Sequence, residues 1–475
     1  MKIQRLRGHI TLALAAGLTL GLSACARYQA RPIEPAATAT AFDQRSLQDA
    51  GLQAFLHQHL PAAPIGARAS WDLQTLTWAA FYYQPELDVA RAQWQAAKAA
   101  AITAGARPNP TLDITNQYDV DAPTGISPWT VGPALSIPIE TAGKRRARIR
   151  QAQQTAEAAR LHVAETAWQV RQHVRSALLG TYPTAAMIRQ AQMWQAERVQ
   201  LIERRLRAGE AAQPDMTQAR IALNRLTLDA QDAQRRVTES RAQLAQALGL
   251  SVSALDGVTL ALDAFQQPPP ASALPTQAIQ REALLRRPDV RAALADYEAS
   301  QAALQGEIAK QYPDIALGPG FQWDAGQAKW SLGLSLTLPL LNQNQGPIAE
   351  ARARRQEAAA RFLTTQAKAI GEVNQAFASY RQMLDKLATA DALLTAQRKA
   401  SASAGALFQA GETDRLDWVS AQVELASAEL ARTDTLIQTQ QALGMLEDAL
   451  RRPLEATRLD LQATEKAPRT QEAQP

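Results

Sequence analysis

Four stretches of this chain alternate between two kinds of residue with a period of two: TLDITNQYDV (111–120), WTVGPALSIPI (129–139), DIALGPGFQWD (314–324) and WSLGLSLTLPL (330–340). In the last, Trp330, Leu332, Leu334, Leu336, Leu338 and Leu340 alternate with Ser331, Gly333, Ser335, Thr337 and Pro339. Such alternation is the mark of a strand with two unlike faces. One face is large and apolar, with Leu112, Ile114, Tyr118 and Val120, or Ile315, Leu317, Phe321 and Trp323. The other is small or polar, with Thr111, Asp113, Thr115, Gln117 and Asp119, or Ala316, Gly318, Gly320 and Gln322. In water the apolar face would need a second sheet to cover it, yet the rest of the chain reads as alanine-rich helix. The apolar face is therefore predicted to meet lipid, and each stretch has about the ten residues that a tilted strand needs to cross a bilayer. Tyr118, Trp129, Trp323 and Trp330 fall near strand ends, where an aromatic girdle would lie. Unpaired strand edges cannot remain in hydrocarbon, so the strands must close into a barrel. Four are too few, and copies must share it. Two chains would give eight strands around a filled interior, and three would give twelve around a lumen.

The strands belong to a duplicated unit. QPELDVARAQWQAAKAA (84–100) matches RPDVRAALADYEASQAA (287–303), PNPTLDI (108–114) matches QYPDIAL (311–317), SIPIETAGKRRARI (136–149) matches TLPLLNQNQGPIAEARA (337–353), and LRAGEAAQPDM (206–216) matches LFQAGETDRLDW (407–418). The offset stays at about 202 residues, so two copies of one unit account for 71–263 and 277–455. FQQPPPASALP (265–275) falls in the proline-rich connector, placed at 264–276, which cannot be helix interior. In each copy a helix (84–107; 288–311) leads into a strand, a loop and a second strand, then a very long helix (144–208; 346–409) and a return helix. Pro183 is predicted to kink or break the first long helix. In the second, Leu363, Ile370, Phe377 and Leu384 fall seven apart, interleaved with Val373, Tyr380, Leu387 and Leu394, an apolar seam for side-by-side helices.

The ends carry a different signal. Lys2, Arg5 and Arg7 precede the apolar run TLALAAGLTLGLSA, as in a secretory signal over 1–24. The run is too short for a stable transmembrane helix. LSAC resembles a bacterial lipobox, which predicts that Cys25, the only cysteine, is lipidated and begins an N-terminal extension over 25–70. Ala26 follows where Asp favours inner-membrane retention, so the outer membrane is predicted. RPIEPAATAT (31–40) and the tail at 456–475 read as extended or disordered. The formal charge of +5 suggests nucleic acid only until the signal is removed; the mature chain is near +2, about neutral for its size. Without a second cysteine, neither a disulfide framework nor a thiolate metal site is available.

Enzymatic readings fail on spacing. TAGKR (141–145) follows a strand and opens a helix, as a phosphate-binding loop does, but Pro138 stands in place of its first glycine and Arg145 in place of its magnesium-holding hydroxyl. The cluster Lys144, Arg145, Arg146, Arg148 and Arg150 is read as a helix emerging among inner-leaflet headgroups, not as a nucleic-acid patch. His57 with His59, and His162 with His173, are the paired imidazoles; they lack convergent carboxylates and are read as solvated or satisfied. No metal site, cofactor or catalytic group is expected. The polypeptide must turn back at AGEAAQPD and AGETDRLD, which puts Gly209 and Gly411 at the far tips of the long helices, where a partner could dock.

The duplicated plan, the motifs PNPTL, IPIETAGKRRARI and LPLLNQNQGPIAEARA, and the paired AGE turns resemble the TolC family of outer-membrane efflux channels over residues 71–455. That resemblance implies a homotrimer whose twelve-stranded barrel, four strands per chain, continues into an α-helical tunnel across the periplasm. It also implies docking, through tips carrying Gly209, Glu210, Gly411, Glu412 and Leu416, onto a periplasmic adaptor and an inner-membrane pump. The family's acidic ring at the closed entrance matches Asp417, with Asp215 in the corresponding place of the first repeat and Ser420 at the family's second acidic position. Asp417 could equally, like Asp414, cap the return helix. The IETAGKR and NQNQG stretches look most similar to outer-membrane components of heavy-metal pumps of the cobalt-zinc-cadmium type, served by an RND transporter. Drug efflux or polypeptide secretion through the same fold, and a non-conducting structural lipoprotein, are the alternatives.

Overall fold

The computed structural model describes residues 28–60 and 70–454. The signal segment, Cys25 and the tail at 456–475 lie outside the described residues. The chain divides after Arg45 into two units. In the first, α1 (Pro35–Asp43) forms where an extended segment is predicted. Pro35 occupies its first turn, where a missing N–H costs nothing. The Thr38 and Thr40 hydroxyls donate to the carbonyls of Pro35 and Ala36 (2.9 and 3.0 Å), so an exposed, alanine-rich helix holds itself together locally.

The second unit runs α2 (Ala50–His59), α3 (Leu73–Tyr83), α4 (Pro85–Gly105), β1 (Thr111–Tyr118), β2 (Trp129–Ile139), α5 (Lys144–Gly180), α6 (Thr184–Arg207) and α7 (Gln213–Leu248). It then repeats the order with α8 (Gln277–Arg286), α9 (Pro288–Ala309), β3 (Ile315–Asp324), β4 (Gln327–Leu336), α10 (Gln345–Gln409) and α11 (Arg415–Leu450). The short helices α3 and α8 are additions to the expected unit. Pro85 and Pro288 separate them from α4 and α9, because a residue before proline is driven out of the helical region, here Gln84 (ψ 116°) and Arg287 (ψ 130°). Pro183 does break the first long helix, between Gly180 and Thr184. Its counterpart α10 is continuous over 65 residues, or roughly 98 Å at 1.5 Å per residue.

The connector is no free linker. Phe265 is buried, Tyr380 donates its hydroxyl to the Pro269 carbonyl (2.7 Å), and Gln440 donates to Phe265 (3.0 Å). A core of Leu52, Leu56, Trp78, Phe81, Val174, Leu178, Leu244 and Leu248 packs α2, α3, α5 and α7 together. Trp71 bonds to Thr259 and Ala261 through its backbone (2.8 and 2.9 Å), tying the start of the first repeat to its end. The predicted seam on α10 divides in two: Val373, Tyr380, Leu387 and Leu394 are buried, whereas Leu363 and Ile370 are exposed. The reason is length, since α11 has 36 residues and ends at Leu450, which packs in one cluster with Val373.

A polar network lies inside this helical body. Glu447, 3% exposed, accepts from Arg171 at 3.0 Å and faces Arg175 at 3.5 Å. The guanidinium groups lie over the Trp168 and Phe265 rings (5.0 and 5.4 Å). Arg287, equally buried, pairs with Asp289 (2.7 Å) and Glu372 (2.9 Å) and donates to the Ala449 carbonyl (2.7 Å). Burial opposes the charge on Asp289, yet Arg287 holds its carboxyl below the usual range.

The strands form one antiparallel sheet in the order β1-β2-β3-β4. Its register keeps the two faces apart. Ile137 opposes Leu317, which opposes Leu334; Ile139 opposes Ile315, which opposes Leu336; Tyr118 opposes Trp129; Phe321 opposes Trp330. On the other face Asp113, Ala134, Gly320 and Ser331 make one row, and Pro138, Ala316 and Ser335 another. Asn116, opposite Val131, is the exception on the apolar face. Two boundaries differ from expectation. β1 ends at Tyr118, leaving Val120 outside it. β4 begins at Gln327 and stops at Leu336, because Ala325 and Gly326 (φ 49° and 82°) make a tight two-residue turn of the kind hairpins favour. Leu338 and Leu340 fall past the strand, where Pro339 has no N–H to offer a ladder.

Candidate functional site

The sheet is the first part of the site. Leu332 is 76% and Leu334 70% exposed, and one apolar wall runs across all four strands, far larger than a water-facing surface tolerates. Of the residues read as a girdle, Tyr118 ends β1 and meets Trp129, the first residue of β2, edge-on (4.9 Å between ring centres), and Trp323 lies one residue from the end of β3; Trp330 instead lies inside β4, which begins at Gln327, and packs on Phe321 (5.0 Å). None of the described helices is long and apolar enough to cross a membrane. β1 and β4 are the sheet's edges, each with one side lacking a partner strand among the described residues.

Where strand gives way to helix, both long helices begin after a left-handed residue without a side-chain cap, Gly143 (φ 77°) and Asn344 (φ 62°). The basic cluster that follows acts as a clamp. Arg145 donates to the Gly105 carbonyl (2.7 Å), Arg148 to Ala104 (2.9 Å) and to both Glu140 oxygens (2.6 and 3.1 Å), and Lys144 to Tyr312 and Asp314 (2.7 Å each). Cations on the open carbonyls at the ends of α4 and α9 are the favourable arrangement there. These three side chains are thus spent within the fold, while Arg146 is exposed.

The second part of the site is at the far ends of the helices. Gly209 (φ 77°) and Gly411 (φ 76°) each follow a helix C-terminus in the left-handed conformation that glycine adopts without strain. The Glu210 N–H donates to Arg205 (2.8 Å) and the Glu412 N–H to Leu407 (2.9 Å), closing the same cap on both turns. Both glutamates are exposed. The Asp215 carboxylate accepts from the Ala212 N–H (3.2 Å), so it serves its own turn. Asp414, not Asp417, caps α11: its carboxylate accepts from the Asp417 N–H (3.0 Å) and pairs with Arg205. The Asp417 side chain is left exposed on the first turn of the helix. Leu416 is half-buried and packs in the cluster of Ile202, Met216 and Ala219, which joins the two hairpins.

Further contacts between the tips were not legible in the sequence. Arg415 donates to Glu197 (2.7 Å), 218 residues away. Trp418 stacks on Phe408 (5.5 Å, 5°) and meets Trp194 edge-on (5.5 Å). No local spacing could announce these pairs. The imidazoles are elsewhere: His59 bonds the Phe55 carbonyl (2.8 Å) and stacks on Trp78 (4.5 Å), and His57, His162 and His173 are exposed. His162 shares a groove with Asp296, whose carboxyl burial pushes up. Among the described residues no group of three His, Cys, Asp or Glu side chains could hold a metal ion.

Comparison with known proteins gives this geometry a setting. The chain is 27% identical over 327 residues to the cobalt-zinc-cadmium resistance protein CzcC of Cupriavidus metallidurans, covering 67% of this chain and 76% of CzcC. It is 28% identical over 257 residues to the outer membrane protein OprJ of Pseudomonas aeruginosa, covering 49% of this chain and 53% of OprJ. Its fold is that of the outer membrane protein VceC from Vibrio cholerae, with a TM-score of 0.63 at 20% identity over 81% of this chain and 97% of VceC. Residues 80–250 and 279–451, one segment in each half, match the outer membrane efflux protein family. A lipid-facing sheet on long paired helices, together with a match over most of its length, means that the chain belongs to the outer membrane efflux protein family and is placed in the outer membrane with its helices in the periplasm.

Proposed function

We propose that three copies of this chain form the exit duct of a tripartite efflux pump, passing divalent metal cations that an inner-membrane RND-type transporter and a periplasmic adaptor deliver. The observation that carries the duct is the sheet: two open edges, an apolar outer face, and an opposite face of Ala134, Gly318, Gly320, Ser331, Gly333 and Ser335 too small to fill a barrel's interior. Twelve strands from three copies close every edge and leave a lumen. The duct performs no chemistry; the transporter supplies the energy. The tips around Gly209, Glu210, Gly411 and Glu412 form the adaptor's docking surface, and Asp417, free of the cap, lines the periplasmic entrance with one carboxylate per chain. Asp215, engaged by its own turn, lends a more constrained charge. Cys25 carries the lipid anchor. The metal cargo is supported by the similarity to CzcC and by the unpaired Asp417.

A strain lacking this chain is expected to lose tolerance to zinc, cobalt or cadmium and to regain it with the wild-type chain. Unchanged metal tolerance alongside hypersensitivity to organic drugs would replace metals with drugs as the cargo.

A further inference from the structure

The small face of the sheet is not uniform along its length. From the helix end outward, the facing pairs of β3 and β4 are Ala316 with Ser335, Gly318 with Gly333, Gly320 with Ser331, Gln322 with Lys329, and Asp324 with Gln327. Side chains are minimal for three rows and then long, polar and charged in the last two, next to the tight turn at Ala325 and Gly326. That turn is the end opposite the helices. Asp324 links three strands there: one carboxylate oxygen accepts from the Thr130 hydroxyl on β2 (2.9 Å), the other from the Lys329 ammonium on β4 (2.7 Å). The ion pair is not withdrawn from solvent, the Asp324 and Lys329 side chains being 35% and 50% exposed. Asp113 is the other charged group among the paired residues of this face, two rows deeper on β1.

We propose that Asp324 and Lys329 form a charge-balanced ring at the outer mouth of the lumen and set the channel's ion preference at that end. The proposal rests on the trimeric duct described above. With the pair intact, three ammonium groups are each neutralised at hydrogen-bond distance, and a cation leaving the lumen meets no net positive barrier. Thr130 fixes the carboxylate so that it stays on Lys329 instead of swinging into the water column. The apolar face needs no such pair, so its position on the small face, in the two rows next to the turn, ties it to permeation.

The test is the cation-to-anion permeability ratio in planar bilayers, with a dilute solution bathing the turn side. At 0.01 M salt the field of a charge reaches about 30 Å, which isolates this ring from the tips roughly 98 Å beyond the strands. Asp324→Asn keeps a partner for Thr130 and exposes three positive charges; the ratio is expected to fall about twofold or more. Lys329→Gln exposes three negative charges and is expected to raise it by a similar factor, about twofold. The double variant should return close to wild type, which a merely structural role would not produce. Should Asp324→Asn fail to assemble, Lys329→Gln alone decides. Variants that conduct with the wild-type ratio would overturn the ring while leaving the duct intact. A wild-type trimer that inserts and passes no current would overturn the duct, and the ring with it.

Discussion

Leu332→Arg is expected to keep the chain out of the outer membrane, whereas Ser331→Arg should leave insertion intact. The two residues are neighbours on β4 and point to opposite faces. Leu332 opposes Pro319 in the middle of the strand and is 76% exposed. A cation on the lipid side near the bilayer midplane costs about 2–4 kcal/mol, and in the proposed three-copy barrel that becomes roughly 6–12 kcal/mol. Ser331 opposes Gly320, with Ala134 in the same row. An arginine there extends into water and recharges the lumen without meeting lipid. Trimer recovered from outer-membrane fractions is the readout. Equal loss from both variants would mean that the faces are not those of a barrel wall.

Glu447→Ala should be the most damaging single change in the helical body. The carboxylate faces Arg171 and Arg175, both 5% exposed, and also accepts the Leu454 N–H (2.9 Å). Its removal takes away the carboxylate that both buried guanidinium groups face, a defect that costs about 3–5 kcal/mol when one partner of a buried pair is deleted. Cation–π contacts to Trp168 and Phe265 hold the arginines in place and prevent their escape to solvent. The control is Glu357→Ala, which breaks an exposed helical pair with Arg361 worth well under about 1 kcal/mol. Unfolding of the detergent-solubilised protein should separate the two variants clearly; a Glu447→Ala midpoint as mild as the control's would show that the network is not essential to stability.

These effects show which features the sequence exposes and which it hides. The barrel wall was legible because a period of two survives over whole strands, and because Ile137, Leu317 and Leu334, distant in sequence, each obey it. Both ends of β4 were misplaced: at the helix end Leu338 and Leu340 continue the alternation on either side of Pro339, and at the turn end Ala325-Gly326 lacks the Asn-Gly signature of a two-residue hairpin turn. The break at Pro183 and the turns at Gly209 and Gly411 were legible because proline and glycine restrict the backbone directly. The helix cap was ambiguous, since Asp414 and Asp417 stand three apart in TDRLD and either can serve; only the bond from the Asp417 N–H assigns the cap to Asp414. Ties such as Arg415 to Glu197 depend on two hairpins meeting, and no local pattern encodes that.

Bilayer recordings of the purified trimer test the conduit most directly. Stepwise conductance with a preference for cations is expected, strongest in dilute salt because fields of exposed charges fade beyond about 10 Å at 0.1 M. Asp417→Ala, which removes the carboxylate that the cap leaves free, should lower that preference and raise the resting conductance, with Glu412→Ala doing less. An assembled, inserted trimer that shows no conductance steps would rule out the conduit.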